Sequence, residues 1–158
     1  MPATASAGSP GMVVDRQSHT IRFERRLDAP RAEVFEAWTT PAQLACWWDP
    51  SGEPLAACEI DLRAGGSFNF VSRGQPDMPF SGVYREISPP RRLVFEAMGA
   101  TGRVMLEDAA GGTHMVVEIA CQSEEHLGQF MKMGVHHGTS QTLDNLVAYA
   151  RQPVRSAG

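Results

Sequence analysis

The architecture follows from a change of hydrophobic period within residues 113–150, THMVVEIACQSEEHLGQFMKMGVHHGTSQTLDNLVAYA. Over residues 113–120 the apolar and polar side chains alternate, which is typical of a half-buried strand. From Ser123 onward the apolar side chains recur every three or four residues, and two acidic residues follow Ser123 as they do at helix starts. The pattern therefore predicts a strand followed by one long C-terminal helix over residues 124–151.

In the part of the sequence before residue 113, most segments show the alternation of apolar and polar residues that is typical of strands. Ile21 to Leu27 forms the first predicted strand, and Asp28-Ala29-Pro30 then begins a helix that carries Val34, Phe35 and Trp38 on one side. A second short helix begins at Thr40-Pro41, and residues 74–79 are predicted to be a loop. Further strands are predicted at residues 57–62, 67–72, 80–87, 93–96 and 103–107. The expected fold is α+β: a curved antiparallel sheet of about six or seven strands wraps around the C-terminal helix, and two short helices follow the first strand.

Composition narrows the class of protein. The chain has 158 residues, a net charge of −4, three cysteines without a CxxC pair, and no apolar run long enough for a membrane span. We expect a single domain over residues 19–151, with disordered segments at residues 1–18 and 152–158 because both are rich in small residues and proline. We also expect a cytoplasmic monomer or weak dimer without a secretory signal, membrane insertion or nucleic-acid binding.

A space for a ligand is expected between the sheet and the last helix. An open antiparallel sheet has one apolar face to cover, and only this helix is long enough to cover it. Gly134 and Gly138 lie within the predicted helix at roughly 1 kcal/mol each relative to alanine, which indicates a close approach, a ligand or a bend. Apolar side chains are the candidate ligand-binding residues: Phe35, Trp38, Trp48, Phe68, Phe70, Phe80, Tyr84, Met105, Met115, Met131 and Val135.

Catalytic candidates are few, and the preferred interpretation is that there are none. Alternation places Glu86 on the same strand face as Tyr84, and a carboxyl group inside an apolar cavity would be the best proton acceptor. His136 is the third candidate if the protein is an enzyme. His136 and His137 are neighbours on a helix and point about 100° apart, so they cannot chelate one metal ion together. We expect no metal and no cofactor, since nucleophile, phosphate-loop, dinucleotide and zinc motifs are absent from the sequence.

The basic residues of the strands are interpreted as solvated. Arg22, Arg25 and Arg26 on the first strand, and Arg91 with Arg92 farther along, form short clusters. Charged side chains of this kind are typical of exposed strand edges, where they discourage edge-to-edge pairing. The three thiols are interpreted as small buried apolar groups.

Five segments, taken together and in order, resemble the bacterial proteins similar to the activator of the heat-shock-protein-90 ATPase, within the START-like (SRPBCC, helix-grip) superfamily. They are FERRLDAPRAEVFEAW (23–38), TPAQLACWW (40–48), CEIDLRAGGSFNF (58–70), FSGVYREISPPRRLVF (80–95) and GVHHGTSQTLDNLVAY (134–149). The resemblance implies the helix-grip fold with an elongated cavity. It does not imply a reaction, because that fold hosts carriers, receptors, cyclases and co-chaperones. Thr139 stands where many relatives have tryptophan, which changes the shape of any cavity there.

Three functions are consistent with the sequence. The favoured hypothesis is a non-enzymatic module that binds a small apolar, aromatic or lipid-like molecule between the sheet and the last helix. The alternatives are a polyketide cyclase or aromatase-like enzyme that uses Glu86, Tyr84 or His136, and a domain that contacts a chaperone and activates its ATPase. The chaperone alternative is the weakest, because the eukaryotic activators carry a further N-terminal domain.

Overall fold

Eight antiparallel strands form one curved, unclosed sheet in the computed structural model, which describes residues 11–151. Two helices follow the second strand, α1 (Arg31–Thr39) and α2 (Pro41–Leu44), and two follow the last strand, α3 (Glu124–Lys132) and α4 (Val135–Ala150). The strand order is β1-β2-β8-β7-β6-β5-β4-β3. The strands are β1 (Met12–Asp15), β2 (Thr20–Leu27), β3 (Ala57–Ile60), β4 (Ser67–Ser72), β5 (Gln75–Ser88), β6 (Arg92–Ala97), β7 (Ala100–Ala109) and β8 (Gly112–Ala120). The predicted α+β class is confirmed, with eight strands instead of six or seven.

The core lies between the inner face of the sheet and the helices. Alternation along the central strands places Phe23 of β2, Val104 of β7 and Val117 of β8 on this face, and all three are buried. Leu143 and Leu146 bring the apolar stripe of α4 against it. Within residues 11–151, no helix is both long and apolar enough to cross a membrane.

The N-terminal segment is more ordered than expected. Residues 1–10 and 152–158 lie outside the described residues, but Met12–Asp15 forms the edge strand β1 instead of part of a disordered tail. The Met12 side chain is only 5% exposed, and the backbone N–H of Glu24 donates to the Gly11 carbonyl at 2.8 Å. A strand of four residues is too short to show a hydrophobic period in the sequence. It is recognisable only from its pairing with β2. The predicted loop at residues 74–79 is also wrong, because β5 begins at Gln75.

The predicted C-terminal helix is two helices. Gly134 separates α3 from α4 with φ of 77°, a left-handed conformation that glycine adopts without a steric penalty. Of the three explanations for the glycines, a bend is therefore the one that applies at Gly134. The start of α3 is as expected, because the backbone N–H of His126 donates to the Ser123 hydroxyl at 3.1 Å.

Arg25 is not on a solvated edge. It lies on the inner face of β2 beside α4, and its side chain is only 10% exposed. Its guanidinium donates to the Asp144 carboxylate at 2.9 Å and to the Ser140 hydroxyl at 2.8 Å, both on α4. It also donates to the backbone carbonyls of Glu24 at 2.8 Å and Gly11 at 3.3 Å. This one side chain links β2 to α4 and to Gly11, the residue before β1.

Candidate ligand-binding cavity

A cavity of about 360 Å³ lies between the inner face of the sheet and helices α3 and α4. Its lining comes from strands β5 to β8 with the β6–β7 turn, from α1, from the segment after α2 and from the two C-terminal helices. Most of the lining is apolar, and the large side chains in it are Trp38, Trp48, Phe80, Phe95, Phe130 and Leu143. The volume lies within the range of about 300–1,000 Å³ that is typical of small-molecule sites.

Small residues on α4 leave this space open. The cavity is lined by Gly138, Thr139 and Thr142 from the N-terminal half of α4, whereas Leu146 and Tyr149 near its end are buried in the core. The helix therefore packs closely on the sheet at its C-terminal end and spans the cavity at its other end. Thr139, where many relatives carry tryptophan, is part of the lining.

A smaller space, which we call the aromatic slot, adjoins the cavity. It has a volume of about 10 Å³, room for about one water molecule, and is lined by Trp38, Leu44, Trp48, Phe68, Phe70, Tyr84, Leu93 and Phe95. Trp38, Trp48 and Phe95 line both spaces, so these three rings form the wall between them. The Phe95 ring lies over Gly102, where an added Cβ would be 2.5 Å from Cζ of Phe95. Any larger residue at position 102 would collide with the Phe95 ring, so this ring position requires glycine.

Few polar groups reach the cavity. The hydroxyl of Thr142 donates to the Trp48 carbonyl at 2.8 Å. Glu118 is part of the lining, but it alternates with the inward Val117, so its carboxylate lies on the outer face of the sheet, where it pairs with Arg103 at 3.0 Å and with Arg22 at 3.8 Å. Nε1 of Trp38 is buried and has no hydrogen-bond partner among residues 11–151. A buried donor left unpaired costs about 1–3 kcal/mol.

Seven of the eleven predicted ligand-binding residues line one of the two spaces. Trp38, Trp48, Phe80 and Val135 line the cavity, and Trp38 and Trp48 line the slot as well. The slot also includes Phe68, Phe70 and Tyr84. The rings of Phe68 and Phe70 stack with their centroids 5.0 Å apart, and Trp48 meets Phe70 edge-on at 5.0 Å.

The other four predicted residues line neither space. Phe35 and Met115 are buried in the core, and Met131 packs against it. Met105 alternates along β7 with the buried Val104 and Leu106, so it lies on the outer face of the sheet. The prediction that Met105 contacts the cavity is corrected by this register.

Glu86 lies on the outer face as well. A β-bulge between Tyr84 and Glu86 interrupts the alternation, so the two side chains do not share a face. The carboxylate of Glu86 is 44% exposed and accepts hydrogen bonds from Arg92 at 3.1 Å and Ser88 at 2.8 Å. Tyr84 is buried, and its burial, together with the nearby Cys58 thiol, raises the pKa of its phenol above the ordinary value. The structure does not bring these two catalytic candidates together.

The third catalytic candidate, His136, is buried but does not line the cavity. Its burial, and secondarily the neighbouring His137, lowers the pKa of its imidazole. His137 is exposed, as two neighbouring helix positions about 100° apart can be. Within residues 11–151 there is no group of three or more His, Cys, Asp or Glu side chains that could hold a metal ion.

The thiols differ in exposure. Cys121 is buried, Cys58 is half-buried and Cys46 is exposed, so the interpretation of all three as buried apolar groups is wrong for Cys46. Burial raises the pKa of the Cys58 thiol to about 11 and also raises that of Cys121. Neither of these two thiols is activated as a nucleophile.

Several lining residues were not among the candidates. Phe95 follows Leu93 by two residues on β6, and that spacing would have placed it on the same inner face. Phe130 follows the buried Leu127 by three residues on α3, which is also a readable helical spacing. Met98 carries no such signal, because turn positions have no periodicity, and Gln75 is the polar first residue of β5.

Comparisons with known proteins agree with this architecture. A family model described as Activator of Hsp90 ATPase homolog 1-like protein matches residues 28–151. The chain belongs to this family. An AHSA1-like protein from Aeromonas hydrophila is 24% identical, with 88% of this chain and 94% of that chain covered and a TM-score of 0.70.

Two further solved structures have the same fold as this AHSA1-like chain. A protein from Arthrobacter aurescens is 21% identical, with 91% of this chain and 92% of that chain covered and a TM-score of 0.77. A protein from Nitrosomonas europaea is 23% identical, with 84% and 94% covered and a TM-score of 0.76. No curated protein matches the chain. The resemblance seen in the sequence is confirmed, and the domain is a START-like one.

Proposed function

We propose that this AHSA1-like protein binds one small apolar molecule in the cavity and does not transform it. The observation that carries the proposal is the cavity of about 360 Å³ with its mainly apolar lining. Burial of apolar ligand surface contributes roughly 25 cal/mol per Å², from which the cost of ordering the ligand is subtracted. A space of this size and lining therefore favours binding by burial of apolar surface.

The ligand class follows from the lining. Five aromatic side chains offer flat faces and edges against which a planar ring or an alkyl chain packs: Trp38, Trp48, Phe80, Phe95 and Phe130. Glu118 is part of the lining, but its carboxylate lies on the outer face of the sheet, paired with Arg103 and Arg22, and does not place a charge in the cavity. These features support an uncharged aromatic or lipid-like ligand.

The cyclase alternative has less support. It requires a proton acceptor inside the cavity, and Glu86 lies on the outer face in an ion pair with Arg92. Tyr84 lines only the aromatic slot, and His136 lines neither space. Activation of a chaperone ATPase is what the family description names, and no contact within the described residues favours it over ligand binding.

A titration with N-phenyl-1-naphthylamine, an uncharged apolar fluorophore, tests the proposal. The wild-type protein should enhance its fluorescence saturably at one site. Thr139→Trp places an indole in the cavity. A tryptophan side chain buries about 150–250 Å² of surface, so it takes up wall area that the ligand would otherwise contact. The dissociation constant should therefore increase at least tenfold.

Gln141→Trp is the matched control, because Gln141 is exposed on the same helix and outside the lining. It should change the dissociation constant less than about twofold. Native mass spectrometry of the protein as purified would reveal a retained small molecule. A wild-type protein that does not bind the probe, or a Thr139→Trp variant that binds it as well as wild type, would refute the proposal.

A further inference from the structure

The turn between β6 and β7 has an unusual residue at its first position. Met98 and Gly99 connect the strands, whose end residues Ala97 and Ala100 are directly paired. Met98 has φ of 55° and Gly99 has φ of 80°. A two-residue hairpin turn with positive φ at both positions strongly prefers Asn-Gly, Asp-Gly or Gly-Gly. A methionine with positive φ is strained, because its Cβ crowds the backbone in the left-handed region.

Core packing does not account for this methionine. Its side chain is 51% exposed, so burial does not offset the strain of its backbone. Met98 is nevertheless part of the cavity lining, and so are Ala97 and Ala100 on either side of the turn. A side chain that both lines a cavity and is half-exposed lies where that cavity opens to solvent.

Hydrogen bonds fix the position of this turn over the cavity. The backbone N–H of Gln122 donates to Nδ1 of His126 at 3.0 Å, so Nε2 of His126 carries the proton and donates to the Met98 carbonyl at 3.2 Å. The Gln122 side chain donates to the Gly99 carbonyl at 2.7 Å. The His126 ring also meets Phe130, a lining residue of α3, edge-on at 4.6 Å. The turn is thus tied to α3, and the Met98 side chain has a defined place at the opening.

We propose that Met98 contacts the ligand at the entrance of the cavity, and that this contact is the reason for a strained methionine in this turn. The inference rests on the proposed function. Methionine is flexible and polarisable and packs against irregular apolar shapes. It follows that the end of the ligand nearest the solvent is apolar, an alkyl or aryl end, and not a charged head group.

Met98→Asn separates binding from stability. Asparagine is favoured in this turn, so the melting temperature should rise by about 2–4 °C. The dissociation constant for N-phenyl-1-naphthylamine should increase about three- to tenfold, because the apolar contact with the methionine side chain is lost. Met98→Leu keeps an apolar side chain on the same backbone, so it should change the dissociation constant less than about twofold and should not raise the melting temperature.

Two controls isolate the contact. His19, which has φ of 57° in the β1–β2 turn, does not line the cavity, so His19→Asn should leave the dissociation constant unchanged. Met133 is 62% exposed and also lies outside the lining, so Met133→Asn should leave it unchanged as well.

The outcomes distinguish the two proposals. If the wild-type protein does not bind the probe, the proposed function fails and the role of Met98 fails with it. If wild type binds and Met98→Asn binds equally well, the function stands and the role of Met98 is refuted. A fall in the melting temperature of Met98→Asn would show that the methionine is needed for packing, which also overturns the inference.

Discussion

Replacing Arg25 by methionine should lower the free energy of unfolding by about 2–4 kcal/mol. Methionine keeps most of the apolar stem, so the loss comes from the guanidinium bonds. Nη2 of Arg25 donates to both the hydroxyl and the backbone carbonyl of Ser140. Because one nitrogen makes both of these part-buried bonds, they count together as one charge-assisted hydrogen bond, worth about 1.5–3 kcal/mol. Asp144 is 58% exposed, so its ion pair adds at most about 1 kcal/mol. In the variant, water donates to the exposed carbonyls of Glu24 and Gly11 in place of the guanidinium, so losing these two hydrogen bonds adds little to the free energy change.

Urea denaturation followed by circular dichroism measures this change directly. A melting experiment should show a decrease of roughly 4–16 °C, at 2–4 °C for each kcal/mol in a chain of this size. Arg85→Met is the matched control, because Arg85 also forms a 2.9 Å ion pair but is 53% exposed, with a partner that is 47% exposed. Its urea midpoint should stay close to that of wild type. If Arg25→Met is no more destabilising than Arg85→Met, the link between β2 and α4 contributes nothing and the reasoning fails.

Three further predictions concern other parts of the chain. Trp38→Ala should cost about 3–5 kcal/mol as for other buried aromatics, whereas Trp38→Phe should cost far less, because its N–H has no partner among residues 11–151; urea midpoints measure both. Deletion of residues 1–15 removes β1 and the buried Met12, worth about 1.5–3 kcal/mol, and should lower the melting temperature, while deletion of residues 1–10 should not. Because the pKa of His136 is lowered on folding, the unfolded chain binds the proton more readily, and stability should decrease as pH falls below 6.5. His136→Asn should flatten that dependence in urea titrations at several pH values.

Periodic elements were predictable because burial imposes their period on the sequence. The strand at residues 67–72 has the predicted bounds, and the buried faces of α1 and α4 follow the apolar spacing. Arg25 shows the limit of that signal. It shares its strand face with Ile21 and Phe23, so alternation alone places it inward, but its charge favours a solvated position. Its partners are 115 and 119 residues away, a distance at which a single sequence gives no information about pairing.

The candidate site was predictable only in part, for a related reason. A period of two assigns faces correctly until a bulge inserts a residue, and the bulge before Glu86 turned the best catalytic candidate outward. The rings on β4 and β5 were identified, but Met98 could not be, because the pairing of Ala97 with Ala100 is what makes residue 98 a turn position.

The cavity is a volume that the side chains leave open, so no single motif encodes it. Larger apolar residues at Gly138 and Thr139 would fill part of it, and such substitutions are among the ordinary ways of stabilising a protein. The chain instead combines small residues on α4 with a ring of Phe95 that requires glycine beneath it. The small residues reduce the packing of α4, and the positive φ of Met98 reduces the stability of the backbone at the opening. These residues and the Phe95 ring all lie at the same cavity, which is the arrangement expected when a molecule from outside the chain completes the packing.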